Sequence, residues 1–164
     1  MKGRFSLLWH HRWHHFLAQV VLDTTVLVSA IRSDTGAAAE TVRLAVLGGI
    51  SILMDLKLPC EYRAVGLRPQ HIAALNRTLK DAEELIGVLE DISFPVLVGT
   101  KHRPLSPDAN DDMVLDVAIN GYADAIVTTN IRHFASAAEH FGIPVLTPRN
   151  FLPAFRNGEF TDAD

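Results

Sequence analysis

Hydrophobic and polar positions come in blocks along this chain rather than in strict alternation. Val20, Val21 and Leu22 make a short unbroken apolar run, the pattern of a strand covered on both faces. Asp23 ends it, and Val26 to Ile31 returns to apolar residues at helical spacing until the SDTG turn at Ser33 to Gly36. Ala37 to Leu47 reads as a second helix closed by Gly48 and Gly49, and Ile50 to Met54 as a second strand. Asp55 to Val65 is helical, with Pro59 in its first turn where the missing N–H costs little. Pro69 opens a long helix to about Leu89, its buried stripe traced by Ile72, Leu75, Leu79, Ala82, Leu85, Ile86 and Leu89. Further strands are predicted at Phe94 to Val98, Ala125 to Val127 and Ile143 to Leu146. Helices fall between and after them, over Asp111 to Gly121, Pro148 to Phe155 and, as a short helix or turn, Asn130 to Phe141. Strands alternating with helices imply an α/β fold on a parallel sheet of about five strands with right-handed crossovers.

Composition narrows the class. A chain of 164 residues, 48% hydrophobic and 21% charged, is long enough to bury a core and reads as one domain. A net charge of −4 argues against gripping nucleic acid through overall positive charge, though a local basic groove is compatible with it. The single cysteine, Cys60, cannot form an internal disulfide, which fits a reducing, cytoplasmic setting, and CEYRA gives it no adjacent histidine to act as a nucleophile. Residues 1–19 read as an ancillary extension before a domain over 20–155 and a tail over 156–164. His10, His11, Arg12, His14 and His15 interrupt any signal-peptide core there, while Phe5, Leu8, Trp9, Trp13, Phe16 and Leu17 recur at helical spacing. His10/His14 and His11/His15 have the i, i+4 spacing that chelates a transition metal on a helix. Nowhere is there a run of about 18 apolar residues, so no membrane span is expected.

The candidate chemistry lies at strand ends. Asp23 has two readings: a cap on the following helix, or a side chain facing the ligand crevice at the carboxyl edge of an open sheet. In a parallel sheet Asn130, after the fourth strand, opens onto the same edge, as do Asp108, Asp111 and Asp112 after the third. Glu61 joins them if its helix turns that face inward. Carboxylates gathered without cationic partners repel one another, and a hard divalent cation such as Mg²⁺ or Mn²⁺ removes the problem. Such ions can stabilise the attacking and leaving oxygens of phosphodiester hydrolysis. The blander reading of Asp108 to Asp112 is an acidic helix start, with Asp112 and Asp116 on one solvated side. Lys101, His102, Arg103 and Arg132 are candidates for phosphate contacts, and Arg68, His71, Arg77 and Lys80 line the outer face of the long helix.

VVLDTTVLVSA, LPCEYRAV, DANDDMVLDVAINGYAD, IVTTNIRHF and IPVLTPRNF occur in an order and spacing that resembles the PIN-domain nucleases, in particular the VapC-like toxins of bacterial toxin–antitoxin systems. The resemblance covers about Val20 to Phe155 and implies a three-layer α/β/α domain, Mg²⁺- or Mn²⁺-dependent RNA cleavage, a protein antitoxin and a homodimer. It implies Asp23, Glu61, Asp111 and Asn130 as the catalytic set, with Asp112 as a further metal ligand beside the three acids. Thr25, Thr128, Thr129, Lys101, Arg103 and Arg132 are the candidate substrate contacts, and Asn130 with Thr128 or Thr129 would orient water or the metal shell. Two positions depart from the family pattern: Thr25 stands where asparagine is usual, and Asn130 where aspartate is common. They favour an alternative in which the scaffold binds RNA or an antitoxin without cutting. The D-T-T segment also resembles the nucleophile motif of haloacid-dehalogenase-like phosphatases, but Asp111 and Asp112 precede Thr128, the wrong order for that family.

Overall fold

The structure, a computed structural model, describes residues 17–75, 77–100 and 109–160. The His-rich segment, Lys101, His102, Arg103 and Asp108 lie outside those residues. The apolar run after Gln19 forms β1 (Gln19–Leu22), and Val20, Val21 and Leu22 are wholly removed from solvent, as their lack of alternation requires. β2 (Ser51–Met54), β3 (Phe94–Pro95), β4 (Ala125–Val127) and β5 (Val145–Leu146) join it in a sheet of order β3-β2-β1-β4-β5, every pairing parallel. Val20 stands between Ile52 of β2 and Ala125 of β4. Around the sheet lie α1 (Thr24–Arg32), α2 (Ala37–Val46), α3 (Leu58–Gly66), α4 (Pro69–Ile72), α5 (Leu79–Ile92), α6 (Ala109–Asn120), α7 (Ile131–Phe141) and α8 (Pro148–Arg156). α1 packs on α2 and α3, α3 on α5, and α2 on α8, while α6 packs on α7 and against β1, β2 and β4. The result is the three-layer α/β/α arrangement with a five-stranded parallel sheet.

Two elements differ from the sequence expectation. The helix read from Pro69 to Leu89 is two helices with a 3-10 turn, Ala73–Leu75, after the first. A capping box restarts it: the Thr78 hydroxyl accepts from the Asp81 N–H at 3.1 Å, and the Asp81 carboxylate accepts from the Thr78 N–H at 2.7 Å. Ala82, Ile86 and Leu89 keep the buried stripe, whereas Leu79 is half exposed. The third strand has two residues rather than five. Pro95 has no N–H to give to a ladder, and after Val96 N–H reaches Met54 O at 2.7 Å the chain leaves the sheet, with Leu97 almost fully exposed.

The strand order places the function. From β1 the chain runs outward through β2 and β3, then crosses to β4 and β5 on the other side, so the direction of winding reverses between β1 and β4. Outside the carboxyl ends of those two strands the following segments diverge and leave a crevice. Tyr62 of α3 locks one wall to this edge: the ring is fully buried and its hydroxyl donates to Leu22 O at 2.5 Å.

Candidate active site

Asp23 occupies the N-cap position of α1, yet its side chain makes no capping hydrogen bond. One carboxylate oxygen, Oδ2, instead accepts from Thr25 Oγ1 at 2.5 Å and from Thr128 Oγ1 at 2.7 Å. Both hydroxyls are themselves held. Thr25 Oγ1 accepts from the Thr129 N–H at 3.2 Å, and Thr128 Oγ1 from the Asn130 N–H at 2.9 Å. The end of β4 thus grips the carboxylate at the end of β1, with Asp23 buried at 6% exposure and Thr128 at 0%. Oδ1 accepts no hydrogen bond among the described residues, so the fixed carboxylate keeps one oxygen for a ligand.

Asp23 forms one end of a crevice of about 710 Å³ that Thr25, Glu61, Asp111, Thr129 and Asn130 also line. Four separated segments therefore deliver their polar groups to one place: the β1–α1 junction, α3, the start of α6 and the β4–α7 junction. Glu61 reaches it because Tyr62, its neighbour, anchors α3 beneath the sheet edge. Burial and the negative charge of Asp23 push the Tyr62 phenol far above its ordinary pKa, so it remains a donor to Leu22 O. Asp111 is nearly buried, and its Oδ2 lies 2.9 Å from Nδ1 of His133 on α7.

Other sequence candidates lie elsewhere. Thr128 sits beneath the crevice with its hydroxyl committed to Asp23, and is fully buried. Asp112 is buried without lining the crevice, and Asp116 lines a second cavity of about 230 Å³ beside Asp55 and Met113. Arg132 is exposed on α7 and does not line the crevice. Among the residues that line it, His133 and Arg32 were not candidates, while His71 was read on the outer face of the long helix, where it could touch phosphate. His133 follows Asn130 by three positions and Arg32 follows Thr25 by seven. Both spacings keep side chains on one helical face, so a signal was present.

Among the described residues no three His, Cys, Asp or Glu side chains are gathered tightly enough to form a ready-made metal cage. The donors nevertheless fit a hard cation in kind. They are carboxylate oxygens, one of them oriented and open, and Mg²⁺ is commonly held by one or two carboxylates plus water and substrate phosphate rather than by an all-protein cage.

A parallel three-layer α/β domain with acids converging on its switch point belongs to the class of enzyme folds that work on ligands held outside the strand ends. The family model for the PIN domain matches residues 19–132, and the chain belongs to the PIN-domain family, a nuclease fold that generally depends on divalent metals. A search of curated proteins found no match.

Proposed function

We propose that this protein is a divalent-metal-dependent endoribonuclease and the toxin of a toxin–antitoxin pair. The observation that carries the reading is the crevice itself: Asp23, Glu61 and Asp111, drawn from three separated segments, line it together, with Asp23 oriented by two hydroxyls. Asp23, Glu61 and Asp111 would hold Mg²⁺ or Mn²⁺, with Asp112 behind them on α6. When bound, such an ion supplies Lewis-acid stabilisation of the phosphate and lowers the pKa of water.

The chain's own groups do the rest. Thr25 and Thr128 keep Asp23 in one orientation, so that no rotamer search is needed when substrate arrives. Asn130 offers its side-chain amide at the crevice wall, orienting water or phosphate without adding charge. Thr129, exposed at the rim, is a substrate contact; Arg132 on α7, and Lys101 and Arg103, which lie outside the described residues, are the further candidates for phosphate contact. A homodimer, a small protein antitoxin and a cytoplasmic setting belong to the same proposal. Among the described residues no helix is long and apolar enough to cross a membrane.

The test is cleavage of single-stranded and structured RNA with Mn²⁺, comparing the wild-type protein with Asp23→Asn and Asp111→Asn. Metal-dependent cleavage lost in both variants is the expected result. Absence of any cleavage that those variants abolish overturns the enzymatic reading. It would leave the binding-only scaffold, which Asn130 and Thr25 favour. A small DNA-binding protein encoded beside this one separates a toxin from a housekeeping nuclease.

A further inference from the structure

One wall of the crevice changes sign along its length. Thr25, Val28, Ser29 and Arg32 all line it, and their i, i+3, i+4, i+7 spacing makes them a single face of α1. From Thr25, bonded to Asp23, to Arg32 is seven residues, or about 10 Å of helix. Arg43, Arg63, Lys80 and Arg156 each have a glutamate partner, but Arg32 has neither an ion pair nor a hydrogen bond among the described residues. His71 of α4 lines the crevice as well. Its Nδ1 is buried without a hydrogen-bond partner. Burial and then the charges of Arg32 and Arg68 hold the His71 pKa below its ordinary value.

We propose that Arg32 and His71 form a second subsite of the crevice that binds a backbone phosphate of the RNA strand away from the scissile bond. The inference rests on the ribonuclease reading and narrows it. A separation of about 10 Å exceeds one nucleotide step, about 3.4 Å of rise in a stacked strand, so the crevice takes a strand running along α1 rather than a mononucleotide. Arg32 presents a planar donor fork to the phosphate oxygens, and neutral His71 adds a ring N–H without adding a charge. In a chain of net charge −4 this local cationic end supplies attraction that the whole molecule does not.

The test is binding of a fluorescein-labelled, twelve-nucleotide single-stranded RNA to the full chain, with EDTA present to keep the strand intact, followed by fluorescence anisotropy across a range of salt. Arg32→Gln is expected to weaken binding several-fold and to flatten the slope of log affinity against log salt by about 0.7, the contribution of one phosphate contact on a single strand. Arg32→Lys recovers part of the slope, His71→Ala weakens binding with little change in slope, and Arg43→Gln leaves both unchanged. With Mn²⁺, Arg32→Gln raises KM on the long strand at constant kcat and leaves cleavage of a dinucleotide unaltered. If the wild-type protein binds RNA and cleaves it while Arg32→Gln matches it in affinity and slope, the subsite falls and the ribonuclease reading stands. An equal loss in Arg43→Gln also overturns the subsite, because net charge alone would then explain the effect. If the wild-type protein neither binds nor cleaves RNA, both readings fall.

Discussion

Replacing Thr128 with valine tests whether the end of β4 orients Asp23. Valine keeps the shape and removes only the hydroxyl. In the wild-type protein that hydroxyl donates to Asp23 Oδ2 at 2.7 Å and accepts the Asn130 N–H at 2.9 Å, from a residue with no exposure. A hydrogen bond to a charged group contributes about 1.5–3 kcal/mol, and stranding a partly buried N–H costs about 1 kcal/mol more. The added methyl returns up to about 0.8 kcal/mol of burial. The net loss is therefore about 2–3 kcal/mol, which lowers the melting temperature by about 4–10 °C in a chain of this size. Asp23 then keeps only Thr25 as a donor, so Mn²⁺ affinity measured by isothermal titration should fall several-fold. Thr128→Ser restores the hydroxyl and should return metal affinity to the wild-type value, although it loses a methyl group's burial. A Thr128→Val protein that melts within a degree of wild type and binds Mn²⁺ equally well would refute the reasoning. So would a serine variant as impaired in metal binding as the valine one.

Tyr62→Phe leaves the buried Leu22 carbonyl without its donor and should cost about 1–3 kcal/mol, read from the urea midpoint. In alkaline titration the Tyr62 phenol, raised by burial and then by Asp23, stays protonated in the fold. Its stabilisation is intact below the ordinary tyrosine range and is lost as pH rises above it, so its phenolate absorbance should appear only as the fold is lost. Gly121→Ala places a Cβ 2.8 Å from Val117 O and 2.9 Å from both Leu53 Cδ1 and Val96 Cγ2, and should cost about 1–3 kcal/mol in chemical denaturation.

Much of this molecule is legible in its sequence, for identifiable reasons. The runs at Val20–Leu22 and Ala125–Val127 announce buried strands because a sheet covered on both faces demands apolar residues without alternation. Where local pattern misled, a polar group had intervened. Periodicity ran unbroken from Ile72 to Leu89 although Thr78 and Asp81 together spell a helix start, and Phe94 to Val98 resembles a strand although Pro95 limits its pairing. The role of Asp23 could not be read locally at all. As a cap it needed only its own helix; as an oriented carboxylate it needs Thr128, whose position becomes known only with the strand order. His133 and Arg32 were legible as helical spacing, but choosing their face required knowing which side of α7 and α1 the crevice occupies.

The bond from Thr128 to Asp23 joins positions 105 apart in the chain. During synthesis the first carboxylate emerges early, with Thr25 beside it, and waits while α1 to α6, β2 and β3 are made. Only when β4 adds itself next to β1 does that carboxylate acquire its second hydroxyl and the crevice its far wall. The grip on Asp23 is thus complete only once β4 is paired, and a nascent or truncated chain that stops short of β4 carries Asp23, Glu61 and Asp111 without the wall that Thr129 and Asn130 supply.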